Sequence, residues 1–281
     1  MINYTQYNKL NKKDIIRKIN SFLIEDMPSG DITTETTVKD NITVQANIVA
    51  MGKMIFSGEQ IIPYCFDADI QIYNKDGDYI QNKSIIATIK GDAKSILSRE
   101  RVMLNILQRL CGIATHTKQY VDLAKPFNVK ILDTRKTTPG MRLFEKYAVK
   151  CGGGYNHRFS LSEGILIKDN HIQSAGSIKK VLEEIDAKHW IELEVDTVEQ
   201  IKEALENDVN GFLLDNMSPN QIKESVLLIR SHPGGNKIFI EASGGMNLNN
   251  IRPYLDTGID GISIGALTHQ INSSDIKLEF K

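Results

Sequence analysis

From Pro126 onward the chain repeats one rhythm, a short apolar run followed by a helical stretch, and that rhythm restricts its fold more than any other feature. The runs fall at 129–132, 165–167, 190–193, 211–214, 237–240 and 261–264, with helical spacing over 198–206 and 221–229 between them. Strands that read as near-continuous apolar runs are covered on both faces, as in a parallel sheet layered with helices. Six such units fall short of the usual eight, so the expected architecture is an incomplete, irregular (β/α) barrel.

Before Pro126 the pattern differs. Ile15, Ile16, Ile19, Phe22 and Leu23 recur at helical spacing over 14–25, and Met27-Pro28-Ser29-Gly30 ends that helix, because proline and glycine extend a helix only at a cost. Short β-type runs follow at 42–50, 70–73 and 84–89, with Asp76-Gly77-Asp78 expected as a hairpin turn between two of them. Such strands predict a small antiparallel sheet with one face covered. A long helix over 95–123 comes next, with Met103, Leu104, Leu107, Leu110, Cys111 and Ala114 as its apolar stripe. The expected class is therefore α/β, with an N-terminal α+β domain over 1–115 and the barrel over 116–267. Residues 268–281 are too few for another unit and are expected to dock back on the first domain.

Composition removes several alternatives. A net charge of -1, from 34 basic and 35 acidic residues, argues against non-specific nucleic-acid binding. No apolar run approaches the ~18 residues of a membrane span, and the opening MINYTQYNKLNKK lacks the apolar core of a secretory signal. Cys65, Cys111 and Cys151 are isolated, which fits a reducing cytoplasm and argues against a disulfide framework or an all-cysteine zinc site. Charge is nevertheless uneven. Between Val129 and His171, eight Lys/Arg face four Asp/Glu, a net +4 that leaves -5 for the remainder. A solvated basic face is the ordinary explanation of such a cluster.

Its position along the fold favours a different one. Each run ends in polar residues: Asp133-Thr134-Arg135-Lys136, Lys168-Asp169-Asn170-His171, Glu194, Asp215-Asn216, Glu241-Ala242-Ser243-Gly244-Gly245 and Gly265. Barrel sites lie at the carboxyl ends of strands, so Arg135, Lys136, Lys168, Glu194, Asp215, Ser243 and Gly265 are expected around one mouth. A single polar strand end is usually a helix cap or a turn residue. Six in succession, cations on the first two and acids on the next two, point to a site. Arg135, Lys136, His157, Arg158 and Lys168 suit a substrate with more than one carboxylate or phosphate, since guanidinium forks bind such groups through paired hydrogen bonds. Glu194 and Asp215 offer hard oxygen ligands, for which Mg2+ bridging to a diphosphate is the natural reading; a structural acid paired with lysine is the plainer one. Ser243-Gly244-Gly245, with a helix expected near Asn247, would form a phosphate cradle of backbone N–H groups. Gly152-Gly153-Gly154 before Tyr155-Asn156-His157-Arg158 reads equally as an anion-approaching loop or a flexible connector. Arg101, beside the stripe of the long helix, is either a snorkelling surface residue or one reaching a site across an interface. His116, His189, His232 and His269 show no ligand spacing and are read as structural.

Taken together, Leu132-Asp133-Thr134-Arg135-Lys136-Thr137-Thr138-Pro139-Gly140, Glu145-Lys146-Tyr147-Ala148-Val149, residues 152–158 and Leu166-Ile167-Lys168-Asp169-Asn170-His171-Ile172 resemble the quinolinate phosphoribosyltransferase family. The likeness extends to Gly30-Asp31-Ile32-Thr33-Thr34, Arg99-Glu100-Arg101, Leu193-Glu194-Val195, Leu214-Asp215-Asn216, residues 241–245 and 263–269, so it spans nearly the whole chain. It implies an N-terminal open-faced sandwich joined to an incomplete barrel, in a homodimer or dimer-based oligomer. It implies that Arg135, His157, Arg158 and Lys168 hold the carboxylates of quinolinate, with Arg101 supplied by the neighbouring subunit. Lys136 would lie beside the substrates. Glu194 and Asp215 would hold Mg2+ and the ribose hydroxyls of phosphoribosyl pyrophosphate, while Ser243, Gly244, Gly245 and Gly265 cradle its 5′-phosphate. The expected reaction gives nicotinate mononucleotide, CO2 and pyrophosphate, a step of de novo NAD biosynthesis. Gln270 and Glu163 depart from the pattern, where Ser and Asp are expected, and neither is expected to touch the chemistry. A paralogue associated with molybdenum transport shares the Arg-Lys and Gly-rich pieces but lacks the Thr-Thr-Pro-Gly and Lys-Asp-Asn-His-Ile forms. Two other classes stand as rivals: a lyase using Lys168 as a Schiff base, and a non-catalytic anion-binding barrel.

Overall fold

The computed structural model describes residues 3–185 and 189–281; Met1 and Ile2, where the expected first domain starts, and Asp186-Ala187-Lys188 of the expected barrel lie outside the described residues. In chain order the first elements are α1 (Lys12–Asp26), α2 (Ile32–Thr37), β1 (Thr43–Ala50), β2 (Met54–Ile55), β3 (Asp69–Ile72), β4 (Tyr79–Ile80), β5 (Ile85–Asp92) and α3 (Ala93–Ala124). There follow β6 (Lys130–Leu132), α4 (Arg142–Cys151), β7 (Ile165–Ile167), α5 (Asp169–Ala175), α6 (Ile178–Glu183), β8 (Ile191–Val195) and α7 (Val198–Leu205). The last are β9 (Gly211–Asp215), α8 (Pro219–Ser231), β10 (Phe239–Ser243), α9 (Arg252–Leu255), β11 (Gly261–Ser263), α10 (Ala266–His269) and β12 (Ile276–Phe280).

One compact unit gathers residues 7–118, 138–153 and 270–281. Asn11 and Asp31 start its first two helices by accepting from the amides of Lys13 and Thr34. Its antiparallel sheet has the order β12-β1-β5-β3. Register sorts the two faces. Ala46, Ile48, Ile70, Ala87, Ile89 and Leu278 share one face, while Asn47, Gln71, Thr88 and Glu279 share the other. The polar face is closed by hydrogen bonds, Tyr73 Oη to Thr88 Oγ1 (3.1 Å) and Thr88 Oγ1 to Asn47 Oδ1 (2.9 Å). This is the open-faced sandwich, and the strand formed by the chain's last segment belongs to it.

Two local expectations are revised here. Asp76-Gly77-Asp78 is a turn with Gly77 at φ +90°, but it joins strands of different sheets, since β3 pairs with β5 and β4 with β2. Its geometry is set by Asp76, whose Oδ1 accepts from the amides of Gly58 (2.8 Å) and Glu59 (3.0 Å). Residues 138–153 also join this unit and not the barrel. Glu145 is the reason: fully buried, it accepts from Arg109 at 2.7 Å and from the Thr138 amide at 3.1 Å, and Tyr147 donates to Asp76.

Among the described residues, the second unit holds 3–6, 119–137, 154–185 and 189–269. Its six strands are all parallel, in the order β6-β11-β10-β9-β8-β7. Beside β6 the next position is taken by a single bridge from Tyr155 to Leu132, so the barrel is incomplete. Registered residues of parallel strands share a face. Leu193, Phe212, Leu214, Ile240, Ala242 and Ile262 form the helix-facing side, all buried. The interior face carries Glu192, Glu194, Leu213, Asp215, Glu241, Ser243 and Ser263. The barrel is therefore apolar outside and largely polar within.

Ile48→Ala, on the apolar face of the sandwich, is expected to lower the unfolding free energy by about 2–5 kcal/mol. Gln71→Ala, on the exposed polar face, should change it by no more than about 0.5 kcal/mol. Urea unfolding of both variants checks the assignment of faces.

Candidate active site at the barrel mouth

Lys168 follows β7 directly and caps α5, its amide donating to His171 Nδ1 at 2.9 Å. Its ammonium pairs with Glu194, the fourth residue of β8. Asp215 closes β9 in register with Ser243 of β10, and its Oδ2 accepts from Asn216 Nδ2 at 2.7 Å. Gly265 lies two residues past β11, and Arg135 and Lys136 follow β6. Because the strands are parallel, all these residues stand at one end of one sheet.

The Ser243-Gly244-Gly245 corner differs from expectation in one respect. No helix begins at Asn247; residues 248–250 form a turn, and α9 starts only at Arg252. Asn250 and Asn247 fold that turn back by donating to the Gly245 carbonyl, at 3.0 and 3.4 Å. The corner is shaped instead by backbone conformation, with Gly244 at φ +108° and Gly245 at φ +57°. A Cβ on Gly244 would stand 2.3 Å from Asn216 Oδ1, so only glycine fits there. Positive φ at both positions is a conformation that glycine adopts without strain, and it leaves the backbone bare of side chains beside Ser243. Lys136 crosses Gly265 closely, a Cβ on that glycine falling 2.9 Å from Lys136 Cδ, and Thr268 Oγ1 donates to the Lys136 carbonyl at 2.7 Å. The lysine stem is thus fixed beside the glycine expected to hold phosphate.

His157 and Arg158 sit on the loop after α4, held by Asp133. That buried carboxylate accepts from the His157 amide (2.8 Å) and from Asn156 Nδ2 (2.7 Å). Both ring nitrogens of His157 are engaged: Nδ1 accepts from the Arg158 amide at 2.8 Å, and Nε2 lies 3.2 Å from Glu192 and 3.7 Å from Glu241. Arg158 is 7% exposed, and its guanidinium makes no hydrogen bond or ion pair among the described residues.

Sequence reasoning missed what lies beneath this rim. Glu192 and Glu241 are fully buried, and Tyr4 donates to Glu192 Oε2 at 2.7 Å while stacking on His157 with ring centroids 4.5 Å apart. The signal for Glu192 was present: Ile191-Glu192-Leu193-Glu194-Val195 alternates with period two, which places both acids on one face. Tyr4, in a short polar segment, offered no such signal. Burial pushes the Glu241 carboxyl above the usual range, and the Glu192 carboxylate adds to this, with His157 opposing. For His157, burial favours the neutral ring, but Glu241 and Glu192 outweigh it and shift the ring upward. Burial also pushes the Tyr4 hydroxyl up, with Glu192 adding to it, so it stays a donor. Glu241, His157 and Tyr4 thus each hold a proton more tightly than they would in water.

Two acidic groups could hold a cation. His157, Glu192 and Glu241 have ligand atoms all within 4.8 Å of one another, but they are sealed from solvent and His157 is engaged by Glu192. Glu194 and Asp215 are half-buried at the mouth, on adjacent strands and the same interior face, and supply only oxygen. That donor set fits Mg2+, which retains waters and shares its ligands with phosphate. Arg101 is exposed on α3 and belongs to the other unit.

Comparison with known proteins agrees over almost the full length. The family models for the quinolinate phosphoribosyl transferase N-terminal and C-terminal domains match residues 31–111 and 113–279. A probable nicotinate-nucleotide pyrophosphorylase [carboxylating] of Bacillus subtilis (strain 168) is 40% identical over 279 residues, covering 96% of this chain and 94% of the relative. A nicotinate-nucleotide pyrophosphorylase [carboxylating] of Mycobacterium leprae (strain TN) is 35% identical, covering 95% and 96%. The solved structure of the nicotinate-nucleotide pyrophosphorylase from Francisella tularensis superposes with a TM-score of 0.92 at 35% identity, covering 99% of this chain and 100% of that one.

The raised Glu241 and His157 groups have one consequence for stability. Between the ordinary value of each group, a carboxylate for Glu241 and an imidazole for His157, and its raised folded value, the folded chain binds a proton that the unfolded chain has released. The stability they contribute is present at low pH and lost as pH rises through the folded values. Glu241→Gln fixes the neutral form at that position. It should flatten the fall in unfolding free energy from about pH 5 to about pH 8, followed by urea unfolding across that interval.

Proposed function

The chain belongs to the quinolinate phosphoribosyl transferase family, and on that footing we propose how its barrel mouth performs the family reaction. The reaction moves the phosphoribosyl group of phosphoribosyl pyrophosphate to the ring nitrogen of quinolinate, with loss of CO2. The observation that carries the dicarboxylate half is the Arg158 guanidinium, sheltered yet without a hydrogen-bond partner among the described residues. A largely buried guanidinium that no protein group pairs is open to an anion, and a carboxylate completes it through two parallel bonds. Arg135 and Lys168 add positive charge for the second carboxylate, and His157 backs the pocket beside Arg158. The Ser243–Gly245 corner and Gly265 receive the 5′-phosphate, with the Lys136 ammonium alongside.

With both substrates held, the ring nitrogen is positioned against the anomeric carbon. The bond from that carbon to pyrophosphate breaks with its electron pair leaving on pyrophosphate, while the nitrogen forms the new bond. Positive charge on the ribosyl group peaks between the two events, where the Glu194 and Asp215 carboxylates face it, an effect that acts through fixed placement. Mg2+, when held by Glu194 and Asp215, would supply neutralisation of the pyrophosphate charge. The alkylated ring nitrogen is cationic, so it stabilises the electron pair left on the adjacent carbon as CO2 departs, and that carbon then takes a proton. No covalent intermediate with the protein is needed. A Schiff base on Lys168 is disfavoured by the ion pair with Glu194, because an ammonium cannot attack a carbonyl.

Arg101 is assigned to the site of a second copy in a homodimer, consistent with its exposure on α3. No described helix is long and apolar enough to cross a membrane, and Cys65, Cys111 and Cys151 are free. Free thiols suit a reducing compartment, and we place the enzyme in the cytoplasm.

Quinolinate, phosphoribosyl pyrophosphate and Mg2+ mixed with the protein should yield CO2 and nicotinate mononucleotide, and folded protein that yields neither contradicts the proposal. Arg158→Ala should raise the quinolinate KM by about a hundredfold and leave that for phosphoribosyl pyrophosphate within about twofold. At a quinolinate concentration far below the raised KM, Arg101→Ala and Arg158→Ala chains should each turn over slowly alone and gain activity when mixed and allowed to exchange subunits; no gain on mixing would exclude a shared site.

A further inference from the structure

Residues 3–6 lie against the loop that carries His157 and Arg158, and every contact falls within the barrel unit. Gln6 and Asn156 clasp reciprocally: Gln6 Nε2 donates to the Asn156 carbonyl and the Asn156 amide to Gln6 Oε1, both at 2.9 Å. Glu163 bridges the two segments, accepting from the Thr5 amide through Oε1 (2.8 Å) and from the Phe159 amide through Oε2 (2.6 Å). Tyr4 completes the clasp, with its ring on His157, its edge toward Trp190 at 5.1 Å, and its hydroxyl on Glu192. Its ring also fills the space over Gly164, where a Cβ would approach Tyr4 Cε1 to 2.7 Å. Glu163 was expected to be remote from the chemistry; it instead fixes the backbone one residue beyond Arg158.

We propose that residues 3–6 act as a positioning strap for quinolinate, with Glu163 as its buckle and Tyr4 as its anchor in the barrel interior. The proposal rests on the reading that Arg158 receives a carboxylate of the substrate. The physical basis is that the Arg158 guanidinium has no hydrogen bond among the described residues to set its direction, so the backbone to either side must set it. Before Arg158 that backbone is tied through Asn156 to Gln6, and after it through Phe159 to Glu163 and Thr5. Tyr4, Gln6 and Glu163 are positioning residues; none is assigned contact with substrate.

Glu163→Gln tests this with little change of shape, since an amide retains one acceptor oxygen for two N–H donors. The expected result is a rise of about tenfold in the quinolinate KM, with kcat and the KM for phosphoribosyl pyrophosphate within about twofold and the thermal midpoint little changed. Trp190 is the single tryptophan of the chain, so its emission reports Tyr4 separately from activity. Acrylamide quenching of Trp190 should increase in Glu163→Gln and fall back when quinolinate is added. An unchanged quinolinate KM overturns the proposal whether or not quenching increases, as does an equal loss for both substrates. If Glu163→Gln does not fold, Tyr4→Phe, which keeps the ring and removes only the hydroxyl, must raise the quinolinate KM in the same selective way, and an unchanged value is equally fatal. Should the unmodified protein fail to turn over quinolinate, the proposed substrate fails; increased quenching in Glu163→Gln then still establishes the clasp, and unchanged quenching removes it too.

Discussion

Two carboxylates with no exposed surface, Glu192 and Glu241, stand inside the barrel, and the arrangement above them depends on how that charge is held. A sealed carboxylate costs several kcal/mol unless donors or a proton compensate it. Glu192 receives both Tyr4 and His157, whereas Glu241 has the His157 ring at 3.7 Å and the Ser263 hydroxyl beside it. Histidine is therefore shared between the two acids, and its other nitrogen takes the Arg158 amide. The acids at the base of the barrel and the backbone that carries Arg158 at its rim meet through one imidazole.

This division of charge follows from strand alternation. The face that packs under the helices is apolar without exception along β8 to β11, which leaves polar residues for the interior. Acids spaced two apart, Glu192 and Glu194, then occupy different depths. The deeper one is held by Tyr4 and His157, and the shallower one meets Lys168 and the solvent. Register alone thus separates a carboxylate that organises the site from one that can serve a ligand.

Much of the barrel was legible because parallel strands announce themselves as apolar runs and their ends as changes to polar residues. The positions of Lys168, Glu194, Asp215, Ser243 and Gly265 at one mouth follow from that rule. What could not be read was non-local. The two-residue pairing of β2 with β4 is too short for periodicity to mark, and the grouping of residues 138–153 with the sandwich is decided by Arg109 and Glu145, distant in sequence. The helix expected after Gly245 was replaced by an asparagine turn, because side-chain amides at Asn247 and Asn250 compete for the backbone groups a helix would use. The strap was invisible for the same reason: its bonds run from residues 4–6 to residues 156, 163 and 192.

The order β12-β1-β5-β3 also bears on how the protein is made. Ala46 pairs with Phe280, so β1 lacks one neighbour until nearly all of these residues have left the ribosome. Through that interval the nascent sandwich presents an open strand edge, a template for pairing with other chains. The whole barrel is synthesised during this wait, between β5 and β12. Closing the sheet is thus a late, long-range event of the kind that slows folding, and in the crowded cell such an edge is a natural point for a chaperone to shield.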